Sequence, residues 1–346
     1  MSPRRAIPLV NQWLASGREV AVVGLGKSGL AASLLLRDYG VLVYASDSGS
    51  SPAHLAWAET ARRAGAAVDT GRHDLERIGH AAAVVVAPGV PPEAAPLEAA
   101  RRAGLAIYAE TDLGFLALEG TRCIGITGTN GKTTTTSLTA HLLAAGGLRA
   151  ETAGNIGRPL SDVARAPDPP QWLALELSSF QLHDTPHLEP AIGMLLNLSP
   201  NHLDRYHSLE EYYGDKALLF RNAHAGSVWI SNADDLEVRR MVAPVAGRHL
   251  RFSLRARAEG WYDRDGQRLM LGDRPLLPRG ELPLLGEHNV ANALAAAAAA
   301  QAVGTSVEDI VAGLSRAAPV RGRLRAVQGR KGATIIDDSY NANPGS

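Results

Sequence analysis

The 346-residue chain contains one cysteine, few aromatic residues, no excess of either charge and no long hydrophobic run. With Cys123 alone, no disulfide can form within the chain, which favours a reducing compartment. Lys plus Arg and Asp plus Glu each number 35, so no overall field attracts nucleic acid or an anionic membrane. The N-terminus lacks a signal-peptide pattern, and no run reaches the roughly 20 apolar residues that span a bilayer. We therefore predict a cytoplasmic protein that binds no nucleic acid and does not insert into membranes.

Apolar strands alternate with helices through the first third of the chain. A strand in "EVAVVG" precedes a helix in "KSGLAASLLLRDYG", and the alternation continues through "VLVYASD" and "AAAVVVAPGV". This alternation is typical of a parallel, doubly wound sheet in an α/β protein. It predicts a Rossmann-like domain over residues 1–115.

The alternation restarts in "TRCIGIT" and predicts a central α/β domain of the P-loop ATPase kind over residues 116–318. Near Pro319 the pattern changes again, and residues 319–346 are predicted to begin a third, Rossmann-like domain. Their "ATIIDDSYNANPGS" is read as one strand followed by a polar turn. So short a piece cannot bury a core of its own, so we expect a truncated form of a longer protein.

The first strand leads into a glycine-rich turn. Gly24, Gly26 and Gly29 form G-x-G-x-x-G between a strand and a helix, and Asp47 ends the next strand. Such glycines allow a diphosphate to approach a helix N-terminus, and the acidic residue can hold a ribose hydroxyl. The pattern does not distinguish NAD from another diphosphate such as a UDP-sugar, and a tight turn alone would also need glycines.

A second loop, "GITGTNGKTTTT", resembles a P-loop in which Ile126 stands at the usual first glycine and Gly128 supplies one instead. Successive N–H groups from Gly128 to Thr133 are expected to wrap a phosphate. Lys132 would place its charge on the β- and γ-phosphates, and the Thr133 hydroxyl would coordinate Mg²⁺. The strand before and the helix after the loop favour nucleotide binding over an ordinary turn.

Polar residues after later strands extend this site. Glu176 ends a buried strand and suits Mg²⁺, although an unrelated buried acid is the alternative. His202 lies in a third loop, and Lys216 follows on a predicted helix, where it could equally be a solvated surface lysine. Asn289 and Asn292 share one helical face and could face a nucleotide, with helix capping as the rival role for Asn289.

Several motifs together resemble the Mur ligases, the ATP-dependent amino-acid ligases of peptidoglycan synthesis. They are "TGTNGKTT", "GNIG", "ELSSFQL", "NHLDRYHS" and "HNVANALAA". The opening "VVGLGKSGLAAS" and "AETDLGF" are most similar to the D-glutamate-adding members, whereas "DDSYNANP" is similar to the D-alanyl-D-alanine-adding members. An NAD-dependent dehydrogenase would explain only the first glycine motif, and a regulatory ATPase only the second.

The resemblance implies that ATP activates UDP-N-acetylmuramoyl-L-alanine as an acyl phosphate, which the amine of D-glutamate then attacks. It implies a monomer that acts in cell-wall biogenesis and cell division, with two Mg²⁺ ions and a carbamylated Lys216. The implied metal-binding residues are Thr133, Glu176, His202 and Lys216, and the implied catalytic residues are Lys132, Glu176, His202 and Lys216. The implied ATP-binding residues are Gly128, Thr129, Asn130, Gly131, Lys132, Thr133, Thr134, Asn289, Asn292, Arg323 and Asp338. The implied UDP-substrate residues are Gly26, Lys27, Ser28, Asp47 and Asn155.

Overall fold

The computed structural model describes residues 6–201, 205–328 and 333–340 and contains two compact units. The first unit holds the residues up to Thr121 together with Gly157–Pro169 and Phe180–Leu188. The second holds Arg122–Ile156, Pro170–Ser179 and the residues from 189 onward. Within the described part of the chain, no helix combines the length and apolar character needed to cross a bilayer. The predicted mixed α/β class is confirmed, while the domain boundaries near residues 116 and 319 stay predictions.

The secondary-structure elements are numbered in chain order. The helices are α1 (Pro8–Ser16), α2 (Lys27–Asp38), α3 (Pro52–Arg63), α4 (Leu75–Gly79), α5 (Ala95–Arg102), α6 (Glu110–Ala117), α7 (Lys132–Ala145), α8 (Leu160–Arg165), α9 (Ser179–His183), α10 (Leu209–Ala217), α11 (Leu236–Val242), α12 (Glu287–Val303) and α13 (Val307–Ser315). The strands are β1 (Val20–Val23), β2 (Val43–Asp47), β3 (Ala67–Thr70), β4 (Ala83–Val86), β5 (Ile107–Ala109), β6 (Arg122–Thr127), β7 (Ala150–Gly154), β8 (Trp172–Glu176), β9 (Ile192–Leu195), β10 (Val228–Asn232), β11 (Arg248–Ser253), β12 (Gly260–Asp263), β13 (Arg268–Leu271), β14 (Arg274–Pro278), β15 (Arg325–Gln328) and β16 (Thr334–Asp337).

The first unit is a five-stranded parallel sheet in the order β3-β2-β1-β4-β5. Every residue of the central strands β1 and β4 is buried, which explains why both read as unbroken apolar runs. The order places β1 at the centre, so the turn after it opens at the carboxyl edge of the sheet where such folds bind ligands. The Rossmann-like prediction for this segment is confirmed.

The second unit is built on a nine-stranded sheet in the order β14-β13-β12-β11-β10-β9-β6-β8-β7. The strands from β7 to β12 along this order run parallel, and β13 and β14 add an antiparallel edge. The alanine-rich face of α12 packs against α7 in the main apolar core, because small side chains allow the two helices to approach closely. From β6 the chain continues to β7 and β8, which lie on one side of β6 in the strand order. It then crosses to β9, on the other side of β6. A crevice is therefore expected at their carboxyl ends.

The end of the described chain differs from the prediction. The sequence predicts one strand there, but β15 pairs with β16 as an antiparallel two-stranded sheet. The missed strand, β15, is exposed at all four positions and carries no apolar run, so periodicity gave no signal for it. It is a strand because it pairs with the more apolar β16.

Candidate nucleotide-binding site

The loop between β6 and α7 has a conformation that depends on glycine. Gly128 and Gly131 have φ values of 152° and 83°, in a region that side-chain-bearing residues rarely adopt. A Cβ on Gly131 would also lie 2.4 Å from the Asn292 side-chain oxygen of α12. The loop then enters α7 at Lys132, so the N-terminal N–H groups of that helix face the crevice. This is the arrangement that binds phosphate.

The segment that follows β9 supports the same loop. The Thr129 N–H donates to the Asn197 carbonyl at 2.9 Å, and the Asn130 N–H donates to the Asn197 side-chain oxygen at 2.8 Å. The Asn197 amide nitrogen donates back to the Asn130 carbonyl at 3.0 Å. Two of the N–H groups between Gly128 and Thr133 are therefore used inside the protein, while phosphate binding by this stretch stays a prediction. Asn197 was missed because nothing in its local sequence separates it from a loop asparagine.

The side-chain nitrogens of two lysines converge on the loop. Lys132 Nζ donates to the carbonyls of Gly128 at 3.0 Å and Thr129 at 2.9 Å, and Lys216 Nζ donates to the Gly128 carbonyl at 2.9 Å. Lys216 is only 1% exposed and lies 4.8 Å from the centroid of the Tyr212 ring, so the solvated-lysine alternative is wrong. Burial holds the pKa of Lys216 well below its ordinary value, and the positive charge of Lys132 lowers it further.

Glu176 ends β8 as a buried carboxylate beside the loop. Its Oε1 accepts a hydrogen bond from Asn155 Nδ2 at 2.9 Å, whereas its buried Oε2 has no hydrogen-bond partner. Burial lowers the pKa of Lys132, Glu176 raises it, and the charge of Arg323 lowers it again, so the three groups share one electrostatic field. An unpartnered carboxylate oxygen fits Mg²⁺, which prefers such ligands, and the mostly buried Thr133 supplies a hydroxyl at the start of α7.

A cavity of about 350 Å³ opens beside the loop in the second unit. The predicted residues that line it are Asn130, Gly131, Thr133, Thr134, Asn289, Asn292, Arg323 and Asp338. The sequence does not predict the apolar wall of the cavity, which includes Leu196, Phe252 and Leu254. In the sequence, those residues look like ordinary core residues. A cavity with N–H groups of a helix N-terminus beside an apolar wall suits a nucleotide, whose base is flat and apolar and whose phosphates are charged.

The two asparagines of α12 form a pair. Asn292 Nδ2 donates to Asn289 Oδ1 at 3.0 Å, and the Thr135 hydroxyl donates to Asn292 Oδ1 at 3.2 Å. The residue that caps α12 is Gly286, so the alternative role of Asn289 as a helix cap is wrong. The pair fixes two amide groups in the cavity wall.

Arg323 and Asp338 also line this cavity. The Arg323 guanidinium lies 4.1 Å from the centroid of the Tyr340 ring, and its buried Nε has no hydrogen-bond partner. Asp338 accepts the Leu324 N–H at 3.2 Å. Burial lowers the pKa of His288, and Asp338 partly offsets that effect. Charged groups of both signs are thus held at the cavity by the β15–β16 segment.

The first unit contains the other predicted ligand residues. Gly26 caps α2, and Lys27 and Ser28 form its first turn. Asp47 Oδ2 accepts the Leu25 N–H at 2.5 Å, which brings the end of β2 against the turn after β1. These four predicted residues therefore come together at the carboxyl edge of the first sheet.

The third glycine of this motif has a packing role. A Cβ on Gly29 would lie 1.7 Å from the Gly24 carbonyl oxygen, so only glycine lets α2 approach β1 this closely. Gly24 itself has a φ of 89°. The glycines are needed for the turn, and the same geometry exposes the α2 N-terminus to a ligand.

His202 lies outside the described residues, so its role as a metal ligand stays a prediction. Across residues 6–201, 205–328 and 333–340, no group of three or more His, Cys, Asp or Glu side chains comes together as a metal site. Mg²⁺ at phosphate sites commonly uses one or two carboxylates, with waters and phosphate oxygens completing its shell.

Known proteins resemble the chain over almost its whole length. The family model described as the Mur ligase middle domain matches residues 126–300, and that of the MurD-like N-terminal domain matches residues 18–109. The UDP-N-acetylmuramoylalanine–D-glutamate ligase of Frankia casuarinae is 40% identical over 334 residues, which are 95% of this chain and 70% of the relative. The chain belongs to the Mur ligase family. The enzyme of the same name from Acidobacterium capsulatum is 38% identical to this Mur ligase over 94% of the chain and 72% of the relative.

Solved structures of distant Mur ligases share the fold. The UDP-N-acetylmuramate:L-alanyl-gamma-D-glutamyl-meso-diaminopimelate ligase from Neisseria meningitides has a TM-score of 0.61 at 19% identity and covers 88% of this chain and 99% of its own. MurC from Thermotoga maritima has a TM-score of 0.59 at 20% identity and covers 95% of this chain and 75% of its own. These likenesses concern the α/β architecture.

Proposed function

We propose that this Mur ligase joins D-glutamate to UDP-N-acetylmuramoyl-L-alanine at the expense of ATP, through an acyl phosphate, in peptidoglycan precursor synthesis. The observation that carries the proposal lies in the second unit, where a P-loop, two lysines and a buried carboxylate surround one crevice. The identity of 40% to a D-glutamate ligase over 95% of the chain selects the reaction within the family.

Lys132, Thr133 and Glu176 are proposed to handle the phosphates. The Lys132 ammonium neutralises charge on the transferred phosphoryl group once the phosphate replaces the loop carbonyls as its partner. Thr133 and the free oxygen of Glu176 would hold Mg²⁺, which supplies a positive charge that stabilises the developing phosphate charge. Asn155 orients Glu176 through the hydrogen bond to its other oxygen.

Lys216 and His202 are proposed as holders of a second Mg²⁺, with Lys216 in its carbamylated form. A buried ammonium beside a cation is unfavourable, whereas a carbamate offers the anionic oxygen that Mg²⁺ prefers. The low pKa that burial gives Lys216 favours the neutral amine, which is the form that reacts with CO₂.

The remaining predicted residues are proposed to bind the two nucleotides. Asn289 and Asn292 would face the adenine, and Arg323 and Asp338 would contact the phosphates and ribose of ATP. In the first unit, the α2 N-terminus would receive the UDP diphosphate. Gly26, Lys27, Ser28 and Asp47 would form that site, and Asn155 is proposed to contribute to substrate binding in the second unit. A cytoplasmic monomer remains part of the proposal.

Calorimetric titration tests the proposal with four ligands: ATP, NAD, UDP-N-acetylmuramoyl-L-alanine and the UDP-tripeptide precursor used by D-alanyl-D-alanine-adding ligases. We expect binding of ATP and of the L-alanine precursor, with phosphate release stimulated by D-glutamate. Preference for the UDP-tripeptide, together with phosphate release stimulated by D-alanyl-D-alanine, would instead support the second candidate function, that of a D-alanyl-D-alanine-adding ligase, which the motif "DDSYNANP" suggests. Binding of NAD without ATP would refute the ligase assignment.

A further inference from the structure

The P-loop of this chain is built against the segment that follows β9. The ladder between β6 and β9 ends with Thr127 opposite Leu195. Two further backbone hydrogen bonds extend it, from the Leu196 N–H to the Thr127 carbonyl at 3.0 Å and from the Thr129 N–H to the Asn197 carbonyl at 2.9 Å. The first half of the loop is therefore held as a continuation of the sheet.

The Asn197 side chain forms the last rung of this extended ladder. Its Oδ1 accepts the Asn130 N–H at 2.8 Å, and its Nδ2 donates to the Asn130 carbonyl at 3.0 Å. Both backbone polar groups of Asn130 are thus held by the half-buried Asn197 carboxamide, which also lines the nucleotide cavity. A free loop residue would sample several backbone orientations, and these two bonds select one.

The carbonyl of Asn130 belongs to the same peptide group as the N–H of Gly131. Because a trans peptide is planar, its N–H points opposite to its C=O. Holding the carbonyl against Asn197 therefore sets the direction of the Gly131 N–H, the first donor after the two that the protein uses itself. Gly131 caps α7, so its N–H belongs to the anion-binding end of that helix.

We propose that Asn197 is a positioning residue that aims the Gly131 N–H at the nucleotide phosphates by holding the Asn130 carbonyl. The residue acts through the loop backbone, and its effect concerns phosphate binding rather than base binding. The proposal rests on the P-loop being the ATP site, as the proposed function requires.

The test compares adenosine, ADP and ATP binding by calorimetry in the full chain and in Asn197→Ala. We expect roughly tenfold weaker binding of ADP and ATP, about the effect of one net hydrogen bond, and unchanged binding of adenosine. Amide hydrogen exchange supplies a second readout, since the Asn130 N–H should lose protection in the variant. The exposed Asn11→Ala, on α1, is the matched control and should change neither readout.

Should Asn197→Ala fail to fold, Asn197→Ser is the second variant, because its shorter side chain cannot reach both groups of Asn130. An equal loss for adenosine would show that Asn197 merely shapes the cavity wall, which overturns the proposal. Unchanged ATP affinity in a folded variant would overturn it as well. If the unmodified chain bound neither ADP nor ATP, the proposed function would fail first, so the two failures are distinguishable.

Discussion

Glu110 should make the stability of the first unit depend on pH in the neutral range. It lies on α6 with no exposed surface, and its Oε1 accepts the Ser161 N–H of α8 at 2.6 Å. Its Oε2 and the Ser161 hydroxyl are both buried without partners. Burial raises the pKa of Glu110 from 4.5 to about 7, the bond from Ser161 opposes that rise, and the nearby charge of Asp162 adds to it.

The sign and size of the effect follow from linkage. The folded state binds the Glu110 proton more tightly than the unfolded state does, so this contribution is fully present below about pH 4.5 and is lost as pH rises through 7. A shift from 4.5 to about 7 corresponds to a loss of about 3 kcal/mol in the free energy of unfolding. Glu110→Gln stays neutral and keeps an acceptor for the Ser161 N–H. It should therefore be more stable than the natural chain at pH 8, by up to that amount, and similar to it at pH 4.5.

Hydrogen exchange of peptides from α6 and α8, corrected for the intrinsic pH dependence of exchange, measures the local opening free energy in the first unit. The exposed Glu93→Gln is the control for removing one carboxylate, and it should track the natural chain at every pH. If Glu110→Gln and the natural chain keep a constant difference from pH 4.5 to pH 8, the carboxyl does not titrate as described and the reasoning fails.

Lys132 and Lys216 give two further predictions. Lys132→Ala should abolish ATP turnover while leaving the affinity for UDP-N-acetylmuramoyl-L-alanine nearly intact, because the two ligands are assigned to different units; an equal loss of both by calorimetry would contradict this. Lys216→Ala should lose ligase activity and regain part of it with added acetate, since a small carboxylate can replace a carbamate as a Mg²⁺ ligand. Full activity of that variant would mean that the buried Lys216 side chain only anchors the Gly128 carbonyl.

The sequence predicts the elements that repeat a regular pattern. Buried parallel strands such as β1 and β4 are apolar throughout, and α12 is a long alanine-rich helix, so their positions follow from composition and spacing. Residues that end buried parallel strands, such as Glu176 at the end of β8, are predicted to belong to the site. They are predicted because the carboxyl ends of parallel strands meet at one edge of the sheet. Pattern and topology together thus locate most of the candidate site.

Contacts between segments that are far apart in the sequence cannot be predicted from such patterns. Asn197 reaches a loop 67 residues earlier, and the burial of Lys216 depends on a contact with Gly128 across 88 residues. On a helix with polar neighbours, Lys216 looks like any surface lysine, and only tertiary packing makes it a buried one. The same limit applies to β15, which is a strand only because β16 pairs with it.

The unusual glycine spacing of the loop has a structural cause. Ile126, which stands where a standard P-loop has its first glycine, is fully buried in β6, because that strand continues as far as Thr127. The turn therefore starts only at Gly128, where a Cβ would lie 3.0 Å from the Leu196 Cβ. A turn that starts this late leaves fewer backbone donors between the strand and α7, and the Thr129 and Asn130 N–H groups already bond to Asn197. Under the proposed function, a phosphate would therefore depend on the N–H groups at the start of α7 and on Lys132, which would make the direction of the Gly131 N–H more important here than in a longer loop.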